Sequence, residues 1–382
     1  MQIKICRGVM KYKLGQICEI VSGSTPKTSV EEYWDGNVKW ITPAELSDNS
    51  YIIEDSVRKI TELGVQKTGL TPFPKGTVIL SSRAPIGKVA IAGCEMYCNQ
   101  GFKNLICSEK VNNKYLFWFL KGKTEFLNAL GRGATFKEIS KSIVSDIEIN
   151  VPNIEEQEKA VSVLEKLFQI INLRRKELSE FEKLIKARFV EMFGNVQLGN
   201  STYQTRKLGD VAYVGSSHRV FTTEFVENGI PFYRGTEIGE LANGRQPSEP
   251  FYISHEHYNK LVSDGSKPKK GDLLLPSICN KGQVWMVDTD EPFYYKDGRV
   301  LCISADRSIY DTKYLQYFMK VKTEIEYPKI GSGSTFAEFK IFLLKDFDVL
   351  TPPMNIQKRF ADFIQQIDKS KFSVMKGNAL FM

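Results

Sequence analysis

The sequence predicts two similar α+β domains joined by a long central helix, with a second, shorter helix after the second domain. The central segment, residues 154–192, contains no proline or glycine, and leucine, isoleucine or methionine recurs at every seventh position from Leu164 to Met192. That period is typical of a coiled-coil seam. The order of short motifs before this segment returns after it. Together these observations predict an internal repeat with pseudo-twofold symmetry.

The composition is that of an ordinary globular protein. The chain has 382 residues, enough for two or three domains, of which 42% are hydrophobic and 25% charged. No apolar run approaches the ~18 residues of a membrane span, and the start of the chain lacks the apolar core of a signal peptide. Seven cysteines, an odd number, fit reduced thiols better than a disulfide framework. We therefore expect a cytoplasmic protein, whose net charge of +7 permits nucleic-acid binding without requiring it.

The first copy of the repeat is predicted to span residues 13–153, after an N-terminal extension of residues 1–12. It opens with Lys13-Leu14-Gly15 and ends in a strand before Pro152. Runs rich in β-branched residues predict strands, and runs of Ser, Gly and Pro predict loops. The predicted elements are strands at 38–41, 77–82, 86–91 and 147–151, a helix at 114–120, and glycine-rich loops at 21–27 and 131–139.

The second copy is predicted to span residues 197–353 and to repeat this order. Its matches to the first copy lie at 207–209, 231–238, 270–275, 281–284, 313–320, 333–338 and 352–357. The offset between matched residues drifts only from 194, between Lys13 and Lys207, to 200, between Gly133 and Gly333. Ordered matches at so constant an offset favour a true repeat, and its period is far too long for a solenoid.

Two helices complete the predicted architecture, the central one over residues 154–196 and the distal one over residues 354–382. The central helix would be ~60 Å long at 1.5 Å per residue. The distal helix is shorter, and its end at 373–378 is expected to fray. If both domains flank one bundle, the connectivity makes the two helices antiparallel. The predicted coiled-coil and partner-contact residues are Leu164, Phe168, Ile171, Leu178, Phe181, Ile185, Phe360, Ile364 and Ile367.

The common catalytic motifs are absent from the sequence. No phosphate-binding Gly-x-x-x-x-Gly-Lys-[Ser/Thr] loop or Gly-x-Gly-x-x-Gly dinucleotide loop occurs. The segment Thr351-Pro352-Pro353-Met354 lacks the acid and the aromatic residue that the adenine methyltransferase tetrad requires. His255 and His257 could hold a metal, but no third ligand stands at a suitable spacing. The sequence therefore indicates a binding protein with no metal or catalytic site.

Basic and polar residues in the loops of both copies are the candidate binding residues. Such side chains position phosphates and read base edges in DNA complexes. Solubility explains any single one of them better, but their duplicated placement favours DNA contact by two modules that read different sequences. The candidates are Thr25, Lys27, Ser82, Arg83, Lys88, Gln100, Lys103, Arg132 and Lys137 in the first copy, and Arg219, Arg234, Arg245, Ser277, Lys281, Arg299 and Lys340 in the second.

Three duplicated motifs carry a resemblance to a known family. They are Lys-Leu-Gly-[Asp/Gln]-[Val/Ile] at 13–17 and 207–211, Gly-[Ala/Ser]-Thr-Phe-x-Glu at 133–138 and 333–338, and a proline followed four or five residues later by glutamine at 152–157 and 353–357. With this layout, the chain resembles the specificity subunit of type I restriction–modification systems over nearly its whole length.

The resemblance implies a host-defence function without catalysis by this chain. Each copy would be a target recognition domain in a DNA major groove, reading one half of a split sequence, and the helices would form an antiparallel coiled coil that acts as a spacer. Two modification subunits would dock on the chain and supply S-adenosylmethionine and methylation. Restriction subunits, with ATP, Mg²⁺, translocation and cleavage, would join them.

Two other functions compete with DNA recognition. The chain could be a coiled-coil scaffold with two protein-binding domains. It could also be a methyltransferase or restriction polypeptide with a cryptic active site, although the missing tetrad weighs against this. Salt-dependent binding to duplex DNA would separate recognition from the scaffold, and methyl transfer by the purified chain alone would favour the enzyme.

Overall fold

The computed structural model describes residues 9–133, 137–279, 281–330 and 337–379, the last four of them by backbone alone. The chain divides between Leu173 and Arg174 into two compact units. Each unit has hydrophobic cores of its own. We call them the first unit and the second unit, since they contain the first and the second copy of the repeat.

The first unit has its elements in the predicted order. Its strands are β1 (Met10–Lys13), β2 (Cys18–Val21), β3 (Trp34–Ile41), β4 (Ile52–Ile53), β5 (Lys59–Ile60), β6 (Val78–Leu80), β7 (Val89–Ala92), β8 (Tyr97–Cys98), β9 (Asn104–Cys107) and β10 (Glu148–Val151). Its helices are α1 (Leu14–Ile17), α2 (Glu62–Thr68), α3 (Asn113–Lys121), α4 (Thr124–Leu130) and α5 (Lys141–Asp146). The long helix α6 (Ile154–Phe193) begins in this unit and ends in the second.

The main sheet of the first unit positions the loops that matter for function. Within the described residues its strand order is β2-β9-β6-β7-β4, and β9 and β6 are antiparallel. Helix α3 packs on β6 and β7, because Leu116, Phe117 and Leu120 on one face of the helix are fully buried. The end of β6 therefore lies beside the start of β9. A smaller sheet, β5-β3-β8, surrounds Trp40 and Ile60.

The second unit repeats these elements. Its strands are β11 (Thr205–Lys207), β12 (Ala212–Gly215), β13 (Phe225–Val226), β14 (Ile230–Tyr233), β15 (Phe251–Ile253), β16 (Leu273–Pro276), β17 (Trp285–Met286), β18 (Tyr294–Tyr295), β19 (Val300–Ala305) and β20 (Asp348–Leu350). Its helices are α7 (Leu208–Val211), α8 (Gly235–Ala242), α9 (His255–Leu261), α10 (Thr312–Ile330), α11 (Ile341–Lys345) and α12 (Met354–Ala379).

The sheet topology confirms the predicted internal repeat. In the described part of the second unit, the order β12-β19-β16-β17 corresponds strand for strand to β2-β9-β6-β7. The parallel pair β14–β18 corresponds to the parallel pair β3–β8, and the antiparallel pair β11–β20 corresponds to β1–β10. The two copies therefore share one α+β fold, as predicted.

The Lys-Leu-Gly motifs fasten the start of each copy to its end. Lys13 Nζ lies 2.8 Å from Asp146 Oδ1, and Lys207 Nζ lies 3.1 Å from Asp346 Oδ1. The hydrogen bond from Lys13 to that carboxylate raises the pKa of the lysine. A Cβ atom on Gly15 would stand 3.0 Å from Cβ of Ser145, so a larger residue would push α5 away. The motif is therefore structural in both copies.

A buried glutamine at the start of α6 explains the proline–glutamine motif of the first copy. The side chain of Gln157 is fully buried. Its amide nitrogen donates to the carbonyl oxygens of Lys110 at 3.1 Å and Pro152 at 2.8 Å. Its amide oxygen accepts from the backbone N–H of Asn112 at 2.8 Å. The glutamine thus ties the start of α6 to the start of α3 through main-chain groups only.

The same clamp recurs at the start of α12. Gln357 donates to the carbonyl oxygens of Ile309 at 2.8 Å and Pro352 at 2.7 Å, and accepts from the backbone N–H of Asp311 at 2.9 Å. Pro352, and not Pro353, is therefore the counterpart of Pro152. The motif predicted at 353–357 is shifted by one residue, and its spacing is the same in both copies.

Replacing Gln357 by alanine is expected to destabilise the second unit. The substitution leaves one buried N–H and two carbonyl groups without their partner, and each such group costs about 1–3 kcal/mol. We expect the free energy of unfolding, measured in urea, to fall by at least about 2 kcal/mol. Gln365→Ala is the matched control, since Gln365 is exposed on the same helix. Equal stability of the two variants would contradict the clamp.

The distal helix lies antiparallel to the last turns of the central helix, as predicted. Lys371 Nζ lies 2.5 Å from Glu182 Oε1. Further along α6, the rings of Phe189 and Phe193 lie 5.4 and 5.3 Å from that of Phe360. Residue numbers thus rise on α6 as they fall on α12. Both helices share one hydrophobic core with the second unit.

Four of the nine predicted seam residues lie in that core. Ile185, Phe360, Ile364 and Ile367 are buried there, and Phe181 packs against it. Leu164, Ile171 and Leu178 are half-buried.

Phe168 packs on the first unit, a contact that the heptad pattern did not predict. Its ring lies 5.8 Å from that of Tyr51 and 5.4 Å from that of Trp118 on α3. The early part of α6 is therefore attached to its own domain.

Two helix ends differ from the prediction. The distal helix was expected to fray at residues 373–378, but α12 continues to Ala379. Its heptad pattern persists, because Val374 is buried seven residues after Ile367. Helix α10 runs to Ile330, ten residues beyond the predicted end at Lys320. No helix in the described part of the chain is both long and apolar enough to cross a membrane.

Candidate nucleic-acid interface

Three loop segments of the first unit meet where β6 ends. The backbone N–H of Ser82 donates to the carbonyl of Gly101 at 2.8 Å, and the carbonyl of Ser82 accepts from the N–H of Ile139 at 3.0 Å. These bonds join the exit of β6, the segment before β9 and the glycine-rich loop at 131–139. We call this meeting point the first loop junction.

The first loop junction collects basic side chains around one carboxylate. Lys103 Nζ lies 3.0 Å from Glu138 Oε1, and Arg83 Nη1 lies 3.9 Å from Glu138 Oε2. The backbones of Arg132 and Glu138 pair through two hydrogen bonds of 3.0 and 2.9 Å. Arg132 and its neighbour Lys137 are exposed. Positive charge from three separate segments is thus concentrated at one place.

A fourth segment, the loop after β2, adjoins the same junction. The hydroxyl of Thr25 donates to the side-chain oxygen of Gln100 at 2.5 Å. Gln100 directly precedes Gly101, which binds Ser82. Lys27 is exposed two residues beyond Thr25. Thr25 and Gln100, which are 75 residues apart in sequence, are therefore neighbours in the fold.

The second unit has a corresponding second loop junction at the end of β16. The N–H of Ser277 donates to the carbonyl of Arg299 at 2.9 Å, and its carbonyl accepts from the N–H of Phe339 at 2.8 Å. The loop after β12 joins it, because the hydroxyl of Ser216 donates to the carbonyl of Val300 at 2.8 Å. The hydrogen bonds that build the junction are therefore repeated, although most of its side chains differ.

One carboxylate again lies at the centre of this junction. Glu338 Oε1 pairs with Arg299 Nη1, and Glu338 Oε2 lies 2.8 Å from Lys340 Nζ. The side chain of Glu338 is 14% exposed, whereas those of Arg299 and Lys340 are 55% and 56% exposed. The carboxylate therefore faces the protein, and the cations face solvent.

Three of the candidates are buried, so their side chains are not available for direct contact with DNA. Ser82 and Ser277 are buried at the junctions, where their main-chain groups form the hydrogen bonds described above. Lys103 is 7% exposed and is held by Glu138. These residues build the surface and do not form its outer face. Sequence pattern alone did not distinguish them from exposed loop residues.

Two other candidate side chains form ion pairs within the protein. Arg234 donates to both carboxylate oxygens of Glu237, at 2.5 and 3.1 Å, and lies 4.5 Å above the ring of Phe251. Lys88 pairs with Asp48. These side chains stabilise the start of α8 and the surface near β7, respectively.

The remaining candidates of the second unit are exposed. Arg219 lies 5.9 Å from the ring of Phe221, in the loop after β12. Lys281 follows the exit of β16, and Arg245 follows α8. Arg219 and Lys281 are on segments that reach the second loop junction, whereas Arg245 is on a different loop.

The glycine-rich motifs lie partly outside the described residues. Residues 134–136 and 331–336, which include half of the first Gly-[Ala/Ser]-Thr-Phe-x-Glu sequence and most of the second, are not among them. The glutamates that end the motifs, Glu138 and Glu338, are described and lie at the centres of the junctions. In the sequence these glutamates stand out only as part of a motif, and the pattern predicted no function for them.

An exposed aromatic residue beside the second junction was also missed. Phe342 is 69% exposed and lines a cavity of about 370 Å³ together with Ser216, Gly298 and Lys340. No periodicity or motif marked it, because it stands on the single-turn helix α11.

The histidines do not form a metal site. His255 and His257 lie two positions apart on α9, so they project from different sides of the helix. His257 Nε2 lies 3.7 Å from Glu224 Oε1. Among the described residues, no group of three or more His, Cys, Asp or Glu side chains could hold a metal ion.

His218 is hydrogen-bonded to an aspartate in the second unit. His218 Nε2 lies 2.7 Å from Asp264 Oδ2. Hydrogen bonds from the Ser266 backbone and then from His218 lower the pKa of Asp264 to about 2. The carboxylate therefore remains charged at neutral pH.

Comparison with known families decides which family shares this duplicated arrangement. The sequence model of a family described as "Type I restriction modification DNA specificity domain" matches residues 7–183 and again residues 200–379. The chain belongs to this family. The two matches correspond to the two copies of the repeat with their helices, so the chain contains two type I DNA specificity domains in tandem.

Individual relatives of the type I specificity family agree with this assignment. The chain is 31% identical to the MjaIX specificity subunit of Methanocaldococcus jannaschii over 93% of its own length and 85% of the relative's. It is 26% identical to a putative specificity subunit of Haemophilus influenzae over 70% of this chain and 68% of the relative. Both relatives are named as specificity subunits of type I restriction enzymes.

Solved structures share the fold over the whole chain. The specificity subunit from M. genitalium has a TM-score of 0.54 at 15% identity, with 98% of this chain and 94% of that chain covered. A chain from a study of complex assembly and conformational transition in the type I system has a TM-score of 0.56 at 18% identity, with 100% and 95% covered. At these identities the likeness concerns the fold.

Proposed function

We propose that this chain is the DNA sequence-recognition subunit of a type I restriction–modification complex. Each unit reads one half of a bipartite target, and helices α6 and α12 set the distance between the halves and dock the modification subunits. Methylation with S-adenosylmethionine and ATP- and Mg²⁺-dependent cleavage belong to the partner subunits. The complex acts in the cytoplasm on double-stranded DNA.

The observation that carries this proposal is the duplicated loop junction. Both junctions have the same backbone hydrogen bonds, from Ser82 in one unit and Ser277 in the other, but they present different exposed side chains. A shared framework with different side chains is what two readers of different half-sites require, because phosphate contacts position a protein and base contacts specify the sequence. The recurring arginines suit both tasks.

Apolar residues on the early part of α6 support subunit docking. Val163, Ile170 and Leu173 are 58%, 40% and 65% exposed. At 3.6 residues per turn they fall within about 80° of the helix circumference. Phe168, on another side, packs against the first unit. An exposed apolar stripe of this kind suits a partner helix.

Methylome sequencing of a host that lacks the system tests the proposed function directly. Expression of this chain with its own modification subunits should produce one methylated motif in two parts separated by unspecified bases. The modification subunits without this chain should produce none, and this chain alone should transfer no methyl groups. Methylation by the chain alone would favour the cryptic enzyme, and an unchanged methylome with the assembled complex would contradict the proposal.

Salt dependence separates DNA recognition from the scaffold alternative. We expect the affinity of the complex for a target duplex to fall steeply between 50 and 200 mM salt, by about 10³-fold or more if six or more phosphates are contacted. Fluorescence anisotropy with a labelled duplex measures this slope. A scaffold with two protein-binding domains would show no specific duplex binding at any salt concentration.

A further inference from the structure

We propose that Glu338 and Glu138 are positioning residues for DNA recognition, each fixing the direction in which the basic side chains of its loop junction meet the target. The proposal rests on the proposed function of the two units. The glutamates contact the basic side chains that would bind DNA, and they need not contact DNA themselves.

The geometry of the second junction carries the proposal. Glu338 is held between Arg299 and Lys340, which come from the segment before β19 and the segment before α11. The carboxylate is mostly covered, while both cations are more than half exposed. A guanidinium has five N–H donors and an ammonium has three. A carboxylate that accepts one or two of them orients the group and leaves the outward donors for a phosphate or a guanine edge.

Stability does not account for this ion-pair cluster. Pairs with such exposed cations contribute little to folding. The carboxylate also has an unfavourable effect on non-specific DNA binding, since it cancels one of the two positive charges and repels phosphates. A group that lowers general affinity but orders two cations contributes to discrimination between sequences. A glutamate occurs at both junctions although the surrounding side chains differ, and this recurrence also supports the proposal.

The first junction has the corresponding carboxylate, that of Glu138, with different partners. Glu138 binds Lys103, which is buried beneath it, and lies 3.9 Å from Arg83, which is 34% exposed. Here the buried lysine fixes the glutamate, whose side chain is 38% exposed, beside one partly exposed arginine. Arg83 and Arg299 are therefore the side chains that we expect the two glutamates to direct onto DNA.

The decisive test compares Glu338→Gln and Glu138→Gln in the assembled methyltransferase complex. Glutamine keeps the shape and removes the charge. Methylome sequencing reads the motif, and 40-base-pair duplexes with single changes in either half measure affinity. We expect Glu338→Gln to reduce discrimination about tenfold in one half of the motif only, and Glu138→Gln to do so in the other half only. Non-specific binding should stay equal or increase, because a negative charge is lost.

The two variants serve as controls for each other, and a third variant tests the mechanism. In an Arg299→Gln, Lys340→Gln background, Glu338→Gln should have no further effect on discrimination, because the side chains that it positions are gone. Thermal unfolding of every variant tests for loss of the fold, and if one glutamine variant unfolds, the other still decides the question.

The outcomes separate this proposal from the function on which it rests. If wild-type complex yields no bipartite motif, the proposed function fails. If wild type discriminates and both variants keep full discrimination in both halves, the positioning proposal fails alone. If specific and non-specific affinities increase by the same factor, the glutamates act only as local negative charges, and the proposal is again overturned.

Discussion

Exchanging residues 13–150 for those of a relative is expected to change one half of the recognised sequence and leave the other half intact. The segment contains the entire first loop junction and the buried residues of the first unit's cores from Leu14 to Ile149. The second unit keeps its own cores and its own junction. Recognition energy that arises in separate modules should therefore be transferred with the module.

The boundaries of this exchange fall where the chain tolerates new sequence. Residues 10–12 of β1 stay behind and pair with β10 through main-chain hydrogen bonds, which do not depend on side-chain identity. Gln157 also stays and binds only main-chain groups of the incoming segment. The donor should keep aromatic residues at the positions of Tyr51 and Trp118, where Phe168 packs.

Methylome sequencing of cells that carry the chimaera with the same modification subunits reads the result in one experiment. The reciprocal exchange of residues 207–350 is the matched control and should change the opposite half. A new sequence in both halves after a single exchange would show that the units do not read independently, and the two-module interpretation would be wrong.

Inserting four residues after Ser179 is expected to lengthen the spacer between the two halves of the target or to abolish activity. Four helical residues add about 6 Å, which corresponds to about two base pairs at 3.4 Å each. The site lies within α6, before the ion pair of Glu182 with Lys371. The insertion rotates the C-terminal part of α6 by only about 40°, so an alanine-rich insert should leave α6 helical.

A seven-residue insertion at the same place tests whether the spacer lengthens in proportion to the insertion. It adds about 10 Å, or about three base pairs, and nearly preserves the heptad phase. Four inserted residues in the loop after α8, near Gly244, control for insertion as such. The four- and seven-residue variants could both be fully active with a target spacer of unchanged length. That result would exclude the helix as the element that sets the spacing.

The fold was largely predictable because its signals are strong and local. The heptads of α6 from Leu164 to Met192 needed no tertiary information, and the repeated Lys-Leu-Gly and proline–glutamine motifs mark the start and end of each copy. The structure gives the reason for their recurrence. Gln157 and Gln357 each satisfy three main-chain groups, and no other residue of that length can both donate and accept in this way.

The candidate site was only partly predictable because burial at a strand end is a tertiary property. Ser82, Ser277 and Lys103 have the residue types of a binding loop, but hydrogen bonds between distant segments place them inside. Glu138 is acidic, so a pattern of basic loop residues did not mark it, although Lys103 and Arg83 lie beside it. Phe168 fitted the heptad pattern, yet its contacts are with Tyr51 and Trp118, which no helical period can indicate.

The main-chain character of the glutamine clamps has an evolutionary consequence. Gln157 and Gln357 hold the domains through backbone N–H and carbonyl groups, which every sequence of the same chain path provides. A gene segment that encodes a whole domain can therefore be replaced by recombination without compensating mutations at the clamp. New DNA specificities can arise in a single genetic event, so a host lineage can diversify its defence faster than point mutation of the reading loops would allow.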